Sequence, residues 1–86
     1  MPEISRFLGI VIAMYFDDHQ PPHFHALYAE HDVAIAIKDG SIIAGELPKR
    51  ALSHVREWRE LHLAELEEDW DLSRKRLTPK KIAPLE

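Results

Sequence analysis

The first half of the chain consists of short apolar or alternating runs separated by turn residues. Alternation over residues 4–8 predicts a strand, and the apolar run 11–16 predicts a second strand covered on both faces. Residues 23–28 and 33–37 alternate again. Residues 41–45 form a last short strand or extended arm after a hairpin-type Asp-Gly turn. This half therefore predicts an antiparallel sheet.

In the second half, apolar residues follow a helical period instead of alternating. Pro48 suits the first turn of a helix, and the pattern continues to about Lys75. The apolar positions of the arc are Leu52, Val55, Trp58, Leu61, Leu63, Leu66 and Trp70. We predict an amphipathic helix lying on the sheet. A kink or break is allowed near residues 61–64, because the run is long for a small domain.

The predicted fold class is α+β: a small curved antiparallel sheet of three to five strands, packed by one long C-terminal helix. Residues 1–78 form a single domain in this interpretation, and residues 79–86 form an extended tail. Ile82 and Leu85 alternate in that tail. We expect it to be disordered in isolation, and to add a strand or pack on a partner when bound.

The chain has 86 residues and no cysteine. That length allows one domain with a thin core, so we expect a partner subunit or a second copy to contribute to its stability. The absence of cysteine excludes disulfides and thiolate metal sites. The start of the chain does not look like a signal peptide, and its longest apolar run is too short for a membrane helix. We expect a soluble, cytoplasmic protein.

The net charge of −4 argues against a general nucleic-acid binder. Residues 1–45 carry two basic and six acidic side chains, whereas residues 46–86 carry nine of each. Within the second half, five carboxylates at residues 65–71 precede five bases at residues 74–81. These blocks fit either a solvated helix face with a soluble tail, or a docking surface for an acidic partner or a phosphate backbone.

The candidate chemistry concentrates in the segment between the second and third predicted strands. His23 and His25 lie two residues apart on a strand, so they share a face and could bind one metal or divide acid and base roles. His19 precedes them across a Pro-Pro loop, and Asp17 or Asp18 could orient an imidazole through its ring N–H. The alternative stays open: aspartates also cap turns, and an exposed histidine pair needs no function.

The helix offers a second clue. Arg59, His62 and Asp69 interrupt its apolar arc, with Glu65 at one margin. His62 and Glu65 at i, i+3 share a helix side. If the helix packs on the sheet face of the histidine pair, both reach that pair; otherwise His62 is a core histidine bonded to backbone.

Two mechanisms follow from these residues. Imidazoles and a carboxylate could hold a divalent metal that activates water, with His23, His25 and His62 as ligands. Alternatively, paired histidines could act as general base and acid on a phosphodiester without a metal. His31 and His54 are interpreted as structural or surface residues. The sequence contains no Gly-rich phosphate loop and no nucleophile-elbow serine.

Several stretches also carry a family resemblance: residues 1–7, residues 18–25 with the order Asp-His-Gln-Pro-Pro-His-Phe-His, residues 58–70 and residues 81–85. On these residues the chain resembles a small bacterial family known as domain of unknown function 4160. The resemblance implies no activity. It implies a setting beside a second small protein, in an arrangement similar to a toxin–antitoxin pair.

The leading hypothesis is a toxin-like effector of a two-protein module that acts on RNA phosphodiesters. The candidate catalytic residues are His19, His23, His25, His62 and Glu65. The alternative is a non-enzymatic binding module, an antitoxin or adaptor, whose histidines are structural or bind a metal. A sensor of a metal or small ligand is the third hypothesis.

Overall fold

The computed structural model describes residues 2–16 and 18–86, which form an α+β fold with a five-stranded antiparallel sheet. Each strand pairs with its neighbour in sequence. The strands are β1 (Glu3–Phe7), β2 (Ile10–Ala13), β3 (His23–Tyr28), β4 (His31–Ala36) and β5 (Ile42–Gly45). The predicted antiparallel sheet is confirmed. The β2 strand ends at Ala13, earlier than its apolar run suggested. Met14 still makes one backbone bond to Pro2, and the chain then enters a loop.

One face of the sheet carries the large core side chains. Phe24 of β3 pairs with Ile35 of β4 and contacts the Trp58 ring, with centroids 5.8 Å apart. Phe7 contacts the same indole at 5.5 Å. Because side chains alternate along a strand, His25 points to the opposite face. Trp58 is therefore packed on the face opposite His25, whereas Trp70, farther along the helical segment, has its ring 5.4 Å from that of His23.

The helical segment is divided into two helices, α1 (Lys49–Leu61) and α2 (Leu63–Arg74), so the prediction of one long helix is wrong. The break falls at His62, inside the interval where a kink was allowed. A straight helix over residues 49–74 would be about 39 Å long, whereas the longest extent of the domain is 33 Å. Breaking the helix lets Leu66 and Trp70 return to the core. Neither helix has the length and apolar character that crossing a membrane requires.

Two polar residues of the helical arc serve to hold the fold together. Arg59 donates to the backbone carbonyls of Ile37 and Lys38, both at 2.7 Å. Asp69 is buried and accepts the backbone N–H of Lys80 at 2.8 Å. Burial raises the pKa of Asp69. These two positions fasten the helices to the end of β4 and to the tail.

The tail packs on its own domain. Ile82 is buried in the core, and its N–H donates to the Ile4 carbonyl at 2.8 Å along the edge of β1. The indole Nε1 of Trp58 donates to the Ala83 carbonyl at 2.8 Å. The apolar residue that we expected to pack on a partner thus fills a position in the core of this chain.

Gly45 supplies the first stability prediction. Its φ is +77°, and a Cβ at this position would collide with the Asp32 carbonyl oxygen of β4. Gly45→Ala is expected to lower the free energy of unfolding by at least about 1–2 kcal/mol, the cost of left-handed backbone for a residue with a Cβ. Urea denaturation measures the loss. Gly9→Ala is the matched control, since its φ is +78° but its Cβ would meet only the Tyr28 ring at 3.4 Å. Equal losses would contradict the collision with β4.

Candidate metal centre

The loop between β2 and β3 carries Asp18 to the first residues of β3. Proline has no N–H for a sheet ladder, so Pro21 and Pro22 keep this segment out of the sheet until His23. The Gln20–Pro21 peptide is cis, and the Pro22 carbonyl accepts the N–H of Ile37 at 3.0 Å. The loop is thereby fixed to the end of β4, next to the histidine pair.

Asp18, His23 and His25 converge, and we refer to these three residues as the Asp18 cluster. The Oδ2 atom of Asp18 lies 2.9 Å from Nε2 of His23 and 3.3 Å from Nε2 of His25. The candidate ligand atoms all lie within 4.8 Å of one another. His25 is flanked in register by Ala13 and Ala34, whose small side chains leave room beside its ring. Two imidazoles and one carboxylate are a ligand set that Zn²⁺ and Fe²⁺ accept in proteins.

The outward-facing nitrogens of both imidazoles also lie near acceptors. Nδ1 of His23 is 2.7 Å from the Pro21 carbonyl oxygen. Nδ1 of His25 is 3.6 Å from Oδ1 of Asp32. Metal-binding histidines usually donate their second ring N–H to a backbone carbonyl or a carboxylate, which fixes the tautomer. The Asp18 cluster has this arrangement at His23, whereas the 3.6 Å separation at His25 exceeds a hydrogen-bond distance.

His23 faces hydrogen-bond acceptors on both sides. A carbonyl oxygen and a carboxylate only accept, whereas a neutral imidazole has one N–H to donate. If Nδ1–H donates to Pro21, the lone pair of Nε2 points at the Asp18 carboxylate. The contact then requires either a second ring proton or a cation between the two atoms. His23 is only 2% exposed, so bulk water cannot relieve the conflict.

Asp18 is electrostatically prepared to act as an anionic ligand. Burial opposes its ionisation, but the backbone N–H of His19 and the contacts with His25 and His23 outweigh burial, so the pKa of Asp18 lies below its ordinary value. The His19 N–H donates to Oδ1 at 2.9 Å, which leaves Oδ2 directed at the two imidazoles. Asp18 is therefore ionised at neutral pH.

His19 lies at the rim of the cluster. Its side chain is 79% exposed, and its ring centroid is 5.5 Å from that of His23. Its Nε2 is 3.9 Å from Oδ1 of Asp18, the oxygen that accepts the His19 backbone N–H. His19 is thus exposed at the rim and is not one of the three convergent potential ligands. Asp17, the other aspartate considered as an orienting group, lies outside the described residues.

The structure does not bring His62 and Glu65 to this cluster. Nδ1 of His62 is 2.6 Å from Oε1 of Glu65, and its ring lies 5.5 Å from the Trp58 ring. Within residues 2–16 and 18–86, the convergent group of three potential ligands contains neither residue. The expectation of a common pocket is corrected because Trp58 packs on Phe24, on the face opposite His25. His62 and Glu65 form a separate pair at the helix break.

Three participants in the site were not anticipated from the sequence. The Pro21 carbonyl oxygen lies beside the outer ring nitrogen of His23, and Asp32 lies beside that of His25. Tyr15 has its ring 4.5 Å from the His25 ring in an edge-on contact. Asp32 pairs with Leu27, two positions from the pairing of His25 with Ala34. If we had assumed a tight turn after Tyr28, the resulting register would have predicted Asp32 beside His25.

Comparison with protein families gives one match. The family model described as "Domain of unknown function (DUF4160)" matches residues 9–71, more than half of the chain. The matched segment contains the whole Asp18 cluster, β2 to β5, α1 and most of α2. Comparison with curated proteins and comparison with solved structures each give no match.

Proposed function

Since the chain belongs to the DUF4160 family, whose description states no activity, we propose its function from the site: a divalent-metal-dependent hydrolase of RNA phosphodiesters. One observation carries the proposal: Asp18 Oδ2 lies between two imidazole Nε2 atoms whose outer nitrogens face acceptors. Three protein ligands leave coordination positions for water and substrate, as in hydrolytic metal sites.

Charge favours a metal over free acid–base catalysis in this proposal. Residues 1–45, which contain the cluster, carry a net charge of −4 from two bases and six acids. A phosphodiester would be repelled there, whereas a divalent ion bound to the Asp18 carboxylate leaves a local charge of +1. His23 is only 2% exposed, so it suits the role of ligand better than that of a base that must touch substrate.

The proposed reaction divides the work between the cluster and His19. Asp18, His23 and His25 would hold a divalent ion, which would lower the pKa of a bound water to about 7 and so supply hydroxide at neutral pH. Attack by hydroxide would form a bond to phosphorus and break the bond from phosphorus to the leaving oxygen. His19, exposed at the rim, donates the proton that this oxygen requires. The products are a phosphomonoester and a hydroxyl.

The proposed setting is a cytoplasmic two-protein module in which this chain is the toxin-like effector. The implied partner is a second small protein that restrains it. The second candidate function is a non-enzymatic binding module. The exposure of all four residues of β5, an edge strand, favours this candidate, because such an edge accepts a further strand.

Cleavage of a fluorescent single-stranded RNA tests the proposal. His19→Ala is expected to slow cleavage by about 10²- to 10⁴-fold, the usual contribution of a general acid, without weakening metal binding. His31→Ala is the matched control, since His31 lies outside the Asp18 cluster and should leave the rate unchanged. Cleavage that survives chelation of divalent ions would contradict the metal mechanism. A protein that binds metal tightly but cleaves no RNA would leave the binding module as the function.

A further inference from the structure

A cavity of about 360 Å³ lies against the first turns of α1. Its polar lining comes from Arg50, His54 and Tyr28, and its apolar lining includes Leu8, which is 61% exposed. The cavity shares no lining residue with the Asp18 cluster. Its volume is at the lower end of the range for small-ligand pockets.

The polar groups of this cavity are uncommitted. Within residues 2–16 and 18–86, the side chains of Arg50 and His54 and the Tyr28 hydroxyl make no hydrogen bond or ion pair. The other arginines of α1 differ: Arg56 donates to the Gly40 carbonyl, and Arg59 donates to two carbonyls at the end of β4. Arg50 is exposed, so its guanidinium is open to an anionic ligand at the cavity.

The lining also defines the charge of that ligand. Arg50 and His54 are four residues apart on α1, so their side chains emerge on the same side. Among the residues that the structure describes, no acidic side chain lines the cavity. The three free groups can all donate hydrogen bonds, and a guanidinium fork matches two oxygens of a phosphate. The cavity is therefore suited to an oxyanion.

We propose that this cavity binds a nucleoside 5′-monophosphate, either free or as the 5′ end of an RNA strand. Arg50 holds two phosphate oxygens, and His54 and the Tyr28 hydroxyl each donate one hydrogen bond. The base lies on the apolar surface of Leu8 and the Tyr28 ring. This site is independent of the proposed hydrolytic centre, and it is tested by equilibrium binding without metal and without catalysis.

Calorimetric and NMR titrations in metal-free buffer test the site with three probes: adenosine 5′-monophosphate, inorganic phosphate and adenosine. We expect the monophosphate to bind most tightly and to shift the resonances of Arg50, His54 and Tyr28. Arg50→Gln should weaken its binding by about 10-fold or more, because a charged hydrogen-bond donor is lost. Lys49→Gln removes the same charge from the adjacent residue, which does not line the cavity, and should change the affinity by less than about 2-fold.

The results that would overturn the site are distinct. Equal losses in Arg50→Gln and Lys49→Gln would show attraction to net charge and no built site. Phosphate binding as tight as that of the monophosphate would remove the assignment of a base subsite. A 5′-phosphorylated trinucleotide that competes with the monophosphate identifies an RNA end as the ligand, and failure to compete identifies the free nucleotide. His25→Ala should abolish RNA cleavage and leave these titrations unchanged. A failure of one proposal is therefore distinguishable from a failure of the other.

Discussion

Replacing Asp18 with asparagine is expected to weaken Zn²⁺ binding by more than about 100-fold. Even residues that only orient metal ligands change affinity by about 10- to 100-fold, and in the proposed site Asp18 is the anionic ligand itself. Its Oδ2 lies between the two imidazoles, so a neutral amide removes the negative charge from the centre of the site. Asparagine keeps the volume of the side chain, which limits the change to its charge and its donor–acceptor pattern.

Isothermal titration calorimetry with Zn²⁺, and the visible absorption of bound Co²⁺, measure this loss. Asp39→Asn is the matched control: Asp39 lies outside the Asp18 cluster, and an asparagine there can still accept the Ser41 N–H. Asp32→Asn should fall between the two, at about 10-fold, because Asp32 faces only the outer nitrogen of His25 and is largely exposed. Equal affinities for wild type and Asp18→Asn would eliminate the metal centre and leave the cluster as a hydrogen-bonded turn.

The alternation of residues along β3 was enough to predict that two residues of the cluster, His23 and His25, share a face. His23 and His25 share a face because a strand has a period of two, and the structure places both nitrogens against one carboxylate. Asp18 was one of two adjacent candidates, and proximity along the chain could not choose between them. The Pro21 carbonyl could not be predicted for another reason: it is a backbone group, so no side-chain type indicates its role as an acceptor.

The role of His62 could not be decided from the sequence, because a helical period defines an apolar arc without saying which sheet face the arc covers. Both faces of β3 contain apolar residues, Phe24 on one and Leu27 on the other. The structure pairs the indole of Trp58 with the larger Phe24 ring, which buries more apolar area. That choice places the helical pair on the side away from His25.

The same limit applies to the tail. An apolar residue such as Ile82 gains the same free energy from burial against its own domain as from burial against a partner. The backbone bond from Ile82 to Ile4 and the indole bond to Ala83 decide the matter in favour of the chain's own core. Neither contact is local in sequence, so periodicity could not reveal them.

Trp58→Ala is expected to lower the free energy of unfolding by about 3–5 kcal/mol, as for other fully buried aromatic residues. Trp58 is 0% exposed and contacts the rings of Phe7, Phe24 and His62. A domain of 86 residues has a total stability of about 4–13 kcal/mol, from 0.05–0.15 kcal/mol per residue. The substitution therefore removes a large part of what keeps the chain folded, and urea denaturation monitored by circular dichroism measures it.

Trp58→Phe separates the two contributions of the indole. Phenylalanine retains most of the packing but loses the donor to the Ala83 carbonyl, so a loss of about 1–2 kcal/mol is expected. Limited proteolysis of this variant should cut residues 79–86 faster than in wild type, because one tether of the tail is gone. Leu61→Ala, on the same helix but 65% exposed, should stay within about 0.5 kcal/mol of wild type. A phenylalanine variant as unstable as the alanine variant would mean that the tail bond, rather than the aromatic contacts, stabilises this core.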